Sequence, residues 1–271
     1  MIKLLRANFF GLRRCWALWL CMAGAFLLSA AFLLRLEADG DPGQTLDQMF
    51  LQVFPFLAIL HAVFISLFLG VEYQDGTLRN KLIAGHSRGK VYLSFLLTAI
   101  AGCFAILLAW GLSVGFGILK FGWFTAPVGS LLLSVAVILL LTAAEAALLT
   151  LLCMLLTNRA IAAVTAILLM FGLIILGSAF YNALCEPETL SAAIMTADGF
   201  QVGPPEPNPH YISGATRQAF QFAVDALPTG QAILLANGEL MRPGLSLAAS
   251  AGILLLASAA GLAIFQRKDL K

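Results

Sequence analysis

Glu145 and His61 lie deep inside long apolar stretches of the sequence, where an ionised side chain costs on the order of several kcal/mol. Residues of this kind face protein or a wet cavity. Functionally they would be a gate or a substrate contact on a translocation path. Structurally, Glu145 would make an interhelical hydrogen bond, to a serine or threonine for example, and the same use is expected of His61. Two isolated ionisable residues in different stretches are thin support for a proton relay.

The other concentration of polar residues is the loop from Glu72 to Lys90. Within it, Gly85-His86-Ser87-Arg88-Gly89-Lys90 has a superficial likeness to a phosphate-binding loop. That loop needs four residues between its glycines and a Ser or Thr after the Lys, whereas here three intervene and Val91 follows. There is no HExxH, no GxSxG and no pair of carboxylates within the apolar stretches, and His86 and His210 fall on opposite sides of the topology below. No segment is large enough and polar enough to form a nucleotide-binding domain, so any ATP and Mg are expected in a partner and no cofactor or metal in this chain. Of the five cysteines, Cys15, Cys21, Cys103 and Cys153 sit in apolar runs and Cys185 just past one, without metal-type spacing, which suits small buried hydrophobes.

The elements that must position these residues are set by composition. The 271 residues are 61% hydrophobic and 11% charged, with a mean hydropathy of +0.93, which excludes an ordinary water-soluble domain. Apolar runs reach the ~20 residues needed to cross a ~30 Å hydrocarbon core. Six spans are expected, at about 15–35, 49–71, 91–119, 128–156, 160–181 and 245–265, in an all-α polytopic membrane protein. The first is too long for the apolar core of a cleaved signal and is read as retained. Ahead of it, residues 1–14 place Ile2, Leu5, Phe9 and Leu12 on one stripe and Lys3, Arg6, Arg13 and Arg14 beside it, the pattern of an interfacial helix. Pro55 is expected to kink the second span, and Gly111-x-x-x-Gly115 to let another helix approach the third.

Orientation follows from the basic residues. Lys3, Arg6, Arg13, Arg14, Arg79, Lys81, Arg88, Lys90, Arg159, Arg267, Lys268 and Lys271 share one side, leaving Arg35, Lys120, Arg217 and Arg242 on the other. That asymmetry predicts cytoplasmic termini, and basic residues so close to a membrane favour anionic lipid over nucleic acid. Residues 182–244 then form an outside segment holding seven of the ten prolines. Its first part, through Gly203-Pro204-Pro205-Glu206-Pro207-Asn208-Pro209, is expected to be irregular, and Ser213 to Leu227 and Ala232 to Leu235 to form short helices over the outer mouth.

The loop at residues 72–90 reads as a short cytoplasmic helix about 15 Å long. Asp75 is placed to cap it, Leu78 and Leu82 share a face, Arg79 and Lys81 flank that face, and Gly85 suits the left-handed position that ends helices. An apolar ridge of this kind, held between two spans, would seat in a groove on a soluble partner. Glu72-x-x-x-Gly76-Thr77-Leu78 after the second span, Arg88-x-x-x-Tyr92 entering the third, and the ending Phe265-Gln266-Arg267-Lys268-Asp269-Leu270 together resemble the type-2 family of ABC exporter permeases.

The resemblance spans the whole length. It implies a bacterial plasma-membrane permease subunit without an ATPase of its own, paired with a second permease in a homodimer or heterodimer. A separately encoded ABC ATPase would dock on the coupling helix around Gly76 to Gly85, with Glu72, Arg79 and Arg88 transmitting its motion. Two other readings are weaker. A self-contained proton-coupled transporter using Glu145 and His61 would often show internal repeats, and no convincing one is present. A membrane enzyme or anchor has only the 182–244 segment in its favour.

Overall fold

The structure, a computed structural model, describes residues 1–39, 46–196, 199–240 and 242–268. Of the residues singled out above, Asp269, Leu270 and Lys271 lie outside the described residues. In chain order the elements are α1 (Ile2–Arg14), α2 (Trp16–Asp39), α3 (Leu46–Gln52), α4 (Phe54–Gln74), α5 (Thr77–Ile83), α6 (Arg88–Phe121), α7 (Val128–Leu155) and α8 (Arg159–Cys185). There follow β1 (Thr189–Thr196), β2 (Gly199–Pro207), α9 (Gly214–Ala226), α10 (Pro228–Ala236) and α11 (Pro243–Arg267).

Six of these helices, α2, α4, α6, α7, α8 and α11, are long and apolar enough to cross a membrane. In lipid no water is present to satisfy a free backbone amide, so such sequences close their hydrogen bonds within the helix. α4 is the most enclosed, with 72% of its apolar window buried against 22% for α8 and 17% for α11. It therefore forms the axis of the bundle, packed against α2, α6, α7 and α8, while α11 lies along α7. Phe50 stacks on Trp110 at 3.9 Å between ring centres, and the Phe64, Phe68 and Phe95 rings continue the core along α4 and α6.

Several local expectations are corrected. Pro55 stands in the first turn of α4, where its missing N–H removes no helical bond, so it starts that helix instead of kinking it. Gly111 and Gly115 meet nothing within 4 Å, and the close approaches lie elsewhere. A Cβ on Gly102 would come within 2.2 Å of the Phe64 ring, and one on Gly261 within 1.9 Å of the Tyr92 hydroxyl. The proline-rich stretch is not irregular: β1 and β2 form an antiparallel hairpin, with Ser191 opposite Pro205 and Ala193 opposite Val202 across a bulge. In a two-stranded ribbon both strands are edges, so prolines are tolerated where their nitrogen faces outward. α9 and α10 stand before the last span, as the sequence pattern calls for, and α10 is buried along most of its length.

In α1 the stripe buried against the bundle is Leu4, Asn8 and Leu12, while Ile2 and Phe9 are exposed. The helix thus has two apolar edges, one packed against the bundle and one exposed.

Candidate coupling and gating sites

Between α4 and α6 the chain makes two left-handed turns, at Gly76 (φ 65°) and Gly85 (φ 87°), and α5 lies between them. Both positions favour glycine because the left-handed backbone strains any residue that carries a Cβ, although the surrounding space is open. Asp75 does not cap α5. It is exposed at the end of α4, donating its amide to the Val71 carbonyl at 2.9 Å, and Gly76 takes the N-cap position. At the other end the His86 amide donates to the Lys81 carbonyl at 3.3 Å and the Gly85 amide to the Leu82 carbonyl at 3.0 Å. This double bond pattern around a left-handed residue closes the helix tightly.

The expected outward ridge is overturned. Leu78 is only 2% exposed and belongs to the main core, and Leu82 packs partly against it. The exposed face of α5 carries Arg79, Asn80 and Ile83, the last 73% exposed. Period alone shows that two leucines share a face but not which way that face points, and here it points into the bundle.

Glu72 is the hub that fixes α5. Its Oε2 accepts from Lys81 Nζ at 2.7 Å and from the Thr77 hydroxyl. Lys81 also donates to Asn8 Oδ1 at 2.9 Å, Asn8 Nδ2 donates to Ser94 Oγ at 3.1 Å, and the ammonium lies 4.2 Å over the Phe95 ring. One chain of bonds thus joins α1, α4, α5 and α6. Lysine's compact charge and three donors suit such a junction. Asn8 was not foreseen as a site residue, although a polar residue between Leu4 and Leu12 at helical spacing signals a buried group in need of a partner.

A second set of bonds ties the same end to the last span. Arg88 Nη1 donates to the carbonyls of Gln266, at 3.2 Å, and Lys268. Lys268 Nζ donates to the Met154 carbonyl at 2.7 Å and the Leu155 carbonyl at 3.0 Å, and Tyr73 Oη donates to Met154 at 2.7 Å. These are the free carbonyls at the end of α7, where the helix dipole favours a cation. Burial nevertheless holds the Lys268 ammonium below its ordinary pKa.

Midway through the bundle, His61 Nδ1 lies 3.0 Å from Glu145 Oε2, with the side chains 0% and 2% exposed. The interhelical bond expected of each is made with the other, joining α4 to α7. Whichever atom carries it, one proton lies between them. His61 Nε2 has no hydrogen-bond partner among the described residues. No group of three or more His, Cys, Asp or Glu that could hold a metal occurs among the described residues.

The family model described as ABC-2 family transporter protein matches residues 4–177, from α1 through most of α8. No curated protein and no solved structure gives a significant match. With well over half of its length matched by that model and six membrane-crossing helices, this chain belongs to the ABC-2 transporter family, as a multi-pass membrane subunit of an ABC transporter.

Proposed function

We propose that this chain is the permease subunit of an exporter, with no ATPase of its own, that moves its substrate outward using ATP hydrolysed by a separate nucleotide-binding subunit. In this reading α5 is the coupling helix, its end of the bundle and both chain termini are cytoplasmic, and two permeases enclose the path in a bacterial plasma membrane. ATP and Mg are held by the partner. The observation that carries the proposal is the mounting of α5: Leu78 and the Glu72–Lys81 junction hold it to three other helices, while Arg79, Asn80 and Ile83 are presented outward. A helix held this firmly passes an external push to α4 and α6 instead of absorbing it.

Asp75, Gly76, Thr77 and Gly85 shape the turns, Leu82 supports the inward face, and Arg88 carries displacement to the end of α11. The His61–Glu145 bond lies between α4, which leads into α5, and α7, which it would hold in register. Opening a path between them requires breaking that bond, and this is the gate role proposed for the pair. The function is tested by purifying the tagged full chain from its native membranes. The expected result is a co-purifying ATP-hydrolysing subunit and a permease that alone hydrolyses no ATP. Hydrolysis by the chain alone, or proton-driven transport by the chain alone in liposomes, would overturn it.

A further inference from the structure

A cleft of about 210 Å³ opens at the α5 end where α1 turns into α2, lined by Arg14, Arg159, Glu72, Trp16, Leu67 and Val71 among others. Its level in the membrane is set by α1, whose exposed basic residues lie beside exposed Ile2 and Phe9, and by Trp16, 60% exposed at the start of a span. Indole rings concentrate at that depth, where headgroup meets hydrocarbon.

The polar wall has one sign to offer. Glu72 is committed to Lys81 and Thr77, and among the described residues neither Arg14 nor Arg159 pairs with a carboxylate. Arg14 lies 4.2 Å over the Phe10 ring, which fixes its plane without neutralising it. The stem of Arg159 lies on Gly70, where a Cβ would come within 2.5 Å of its Cγ. Among the described residues its guanidinium makes one hydrogen-bond contact, at 3.5 Å to Gln74 Oε1. Two guanidiniums at one mouth match a phosphate, which each can grip with two N–H donors. The apolar wall of Leu67, Val71 and Trp16 gives an acyl chain a surface that a free phosphate would not use.

We propose that this cleft binds the headgroup of an anionic phospholipid, with Arg14 and Arg159 clamping the phosphate and the acyl chain lying along α4. A zwitterionic headgroup brings a cation toward the same two guanidiniums and is disfavoured. The bound lipid braces the last turns of α4 from which α5 is suspended. This inference needs only the membrane setting and stands whether or not an ATPase docks on α5.

The test is native mass spectrometry and thermal melting of the full chain in detergent with phosphatidylglycerol, phosphatidylcholine or soluble glycerophosphate added. Phosphatidylglycerol is expected to bind stoichiometrically and raise the melting temperature, while the other two do neither. Arg14→Gln with Arg159→Gln should cut its occupancy about tenfold, and Lys3→Gln with Arg6→Gln, on the same helix but outside the cleft, should leave it within about twofold. Should the double variant fail to fold, Arg159→Lys keeps the charge, loses the planar fork and is expected to weaken binding severalfold. Undiminished occupancy in the folded cleft variant, or in Arg159→Lys, overturns the site. So does equal loss in the Lys3/Arg6 pair, which would mean a diffuse basic surface, or an equal response to glycerophosphate, which would mean a free-anion site.

Discussion

At the α5 end one carboxylate, Glu72, begins a chain of bonds through Lys81, Asn8 and Ser94 that crosses four helices. At the α10 end the polar side chains join elements two at a time. Thr229 Oγ1 donates to the Leu173 carbonyl at 2.7 Å, Ser250 Oγ to Gln231 Oε1 at 2.8 Å, and the Thr125 amide to Asp47 Oδ2 at 2.9 Å. Only the first end has a shared junction, and at the second Asp47 Oδ1 and Gln231 Nε2 have no hydrogen-bond partner among the described residues. A displacement applied to α5 must therefore be shared by α1, α4 and α6, whereas α9, α10 and α11 can shift in pairs. The difference is that between a lever mounting and a cover.

The largest expected effect comes from removing the anchor of the lever. Leu78→Asp buries a carboxylate with no partner and should cost on the order of 3–5 kcal/mol, read as a lowered melting temperature in detergent. Thr229→Val, which deletes one bond at the opposite end, should cost about 1 kcal/mol. Equal losses would erase the distinction between the ends. Next in size, Glu72→Ala leaves Lys81 short of its counterion at a cost of about 1–3 kcal/mol. Hydrogen exchange should then quicken together in α1, α5 and the first turn of α6, and acceleration in α5 alone would show that the junction is not shared. Lys268→Ala uncaps the end of α7 and should cost about 1 kcal/mol, with faster exchange confined to the last turn of that helix.

The smallest effect is at the α10 end and depends on pH. Burial raises the Asp225 carboxyl above its ordinary 3.8, with Arg242, 3.1 Å away, opposing the shift. The folded state therefore holds that proton more tightly than the unfolded chain. The α9–α10 packing is most stable below the ordinary carboxylate value and loses stability as pH climbs through the raised one. Amide exchange in α9 and α10 should follow that slope, and Asp225→Asn should flatten it while leaving the α5 end untouched.

Spans were legible because each carries its own signal: an apolar run of the required length identifies a crossing helix without reference to anything else. The turn that closes α5 was legible for the same local reason, Gly85 adopting the left-handed backbone that ends helices, whereas the opening turn at Gly76 was not, its place being given to an Asp75 cap. Direction was not. Leu78 and Leu82 share a face in any helix, but whether that face meets a partner or its own bundle depends on how α4 and α6 approach, which no seven-residue pattern encodes. Long-range pairs were hidden for a similar reason. His61 and Glu145 are 84 positions apart, and each on its own is satisfied by any suitable neighbour. The hairpin was missed because prolines argue against helix and sheet interior alike, and a two-stranded ribbon that is all edge escapes both objections.

The central claim is that the outward face of α5 receives the ATPase while its inward face holds the bundle. Ile83→Asp tests it most directly, because Ile83 is exposed and belongs to no junction described above. With the tagged full chain purified from native membranes, the variant should keep the melting temperature of the unaltered protein and lose most of its co-purifying ATPase. An unchanged ATPase yield from the folded variant would contradict the account.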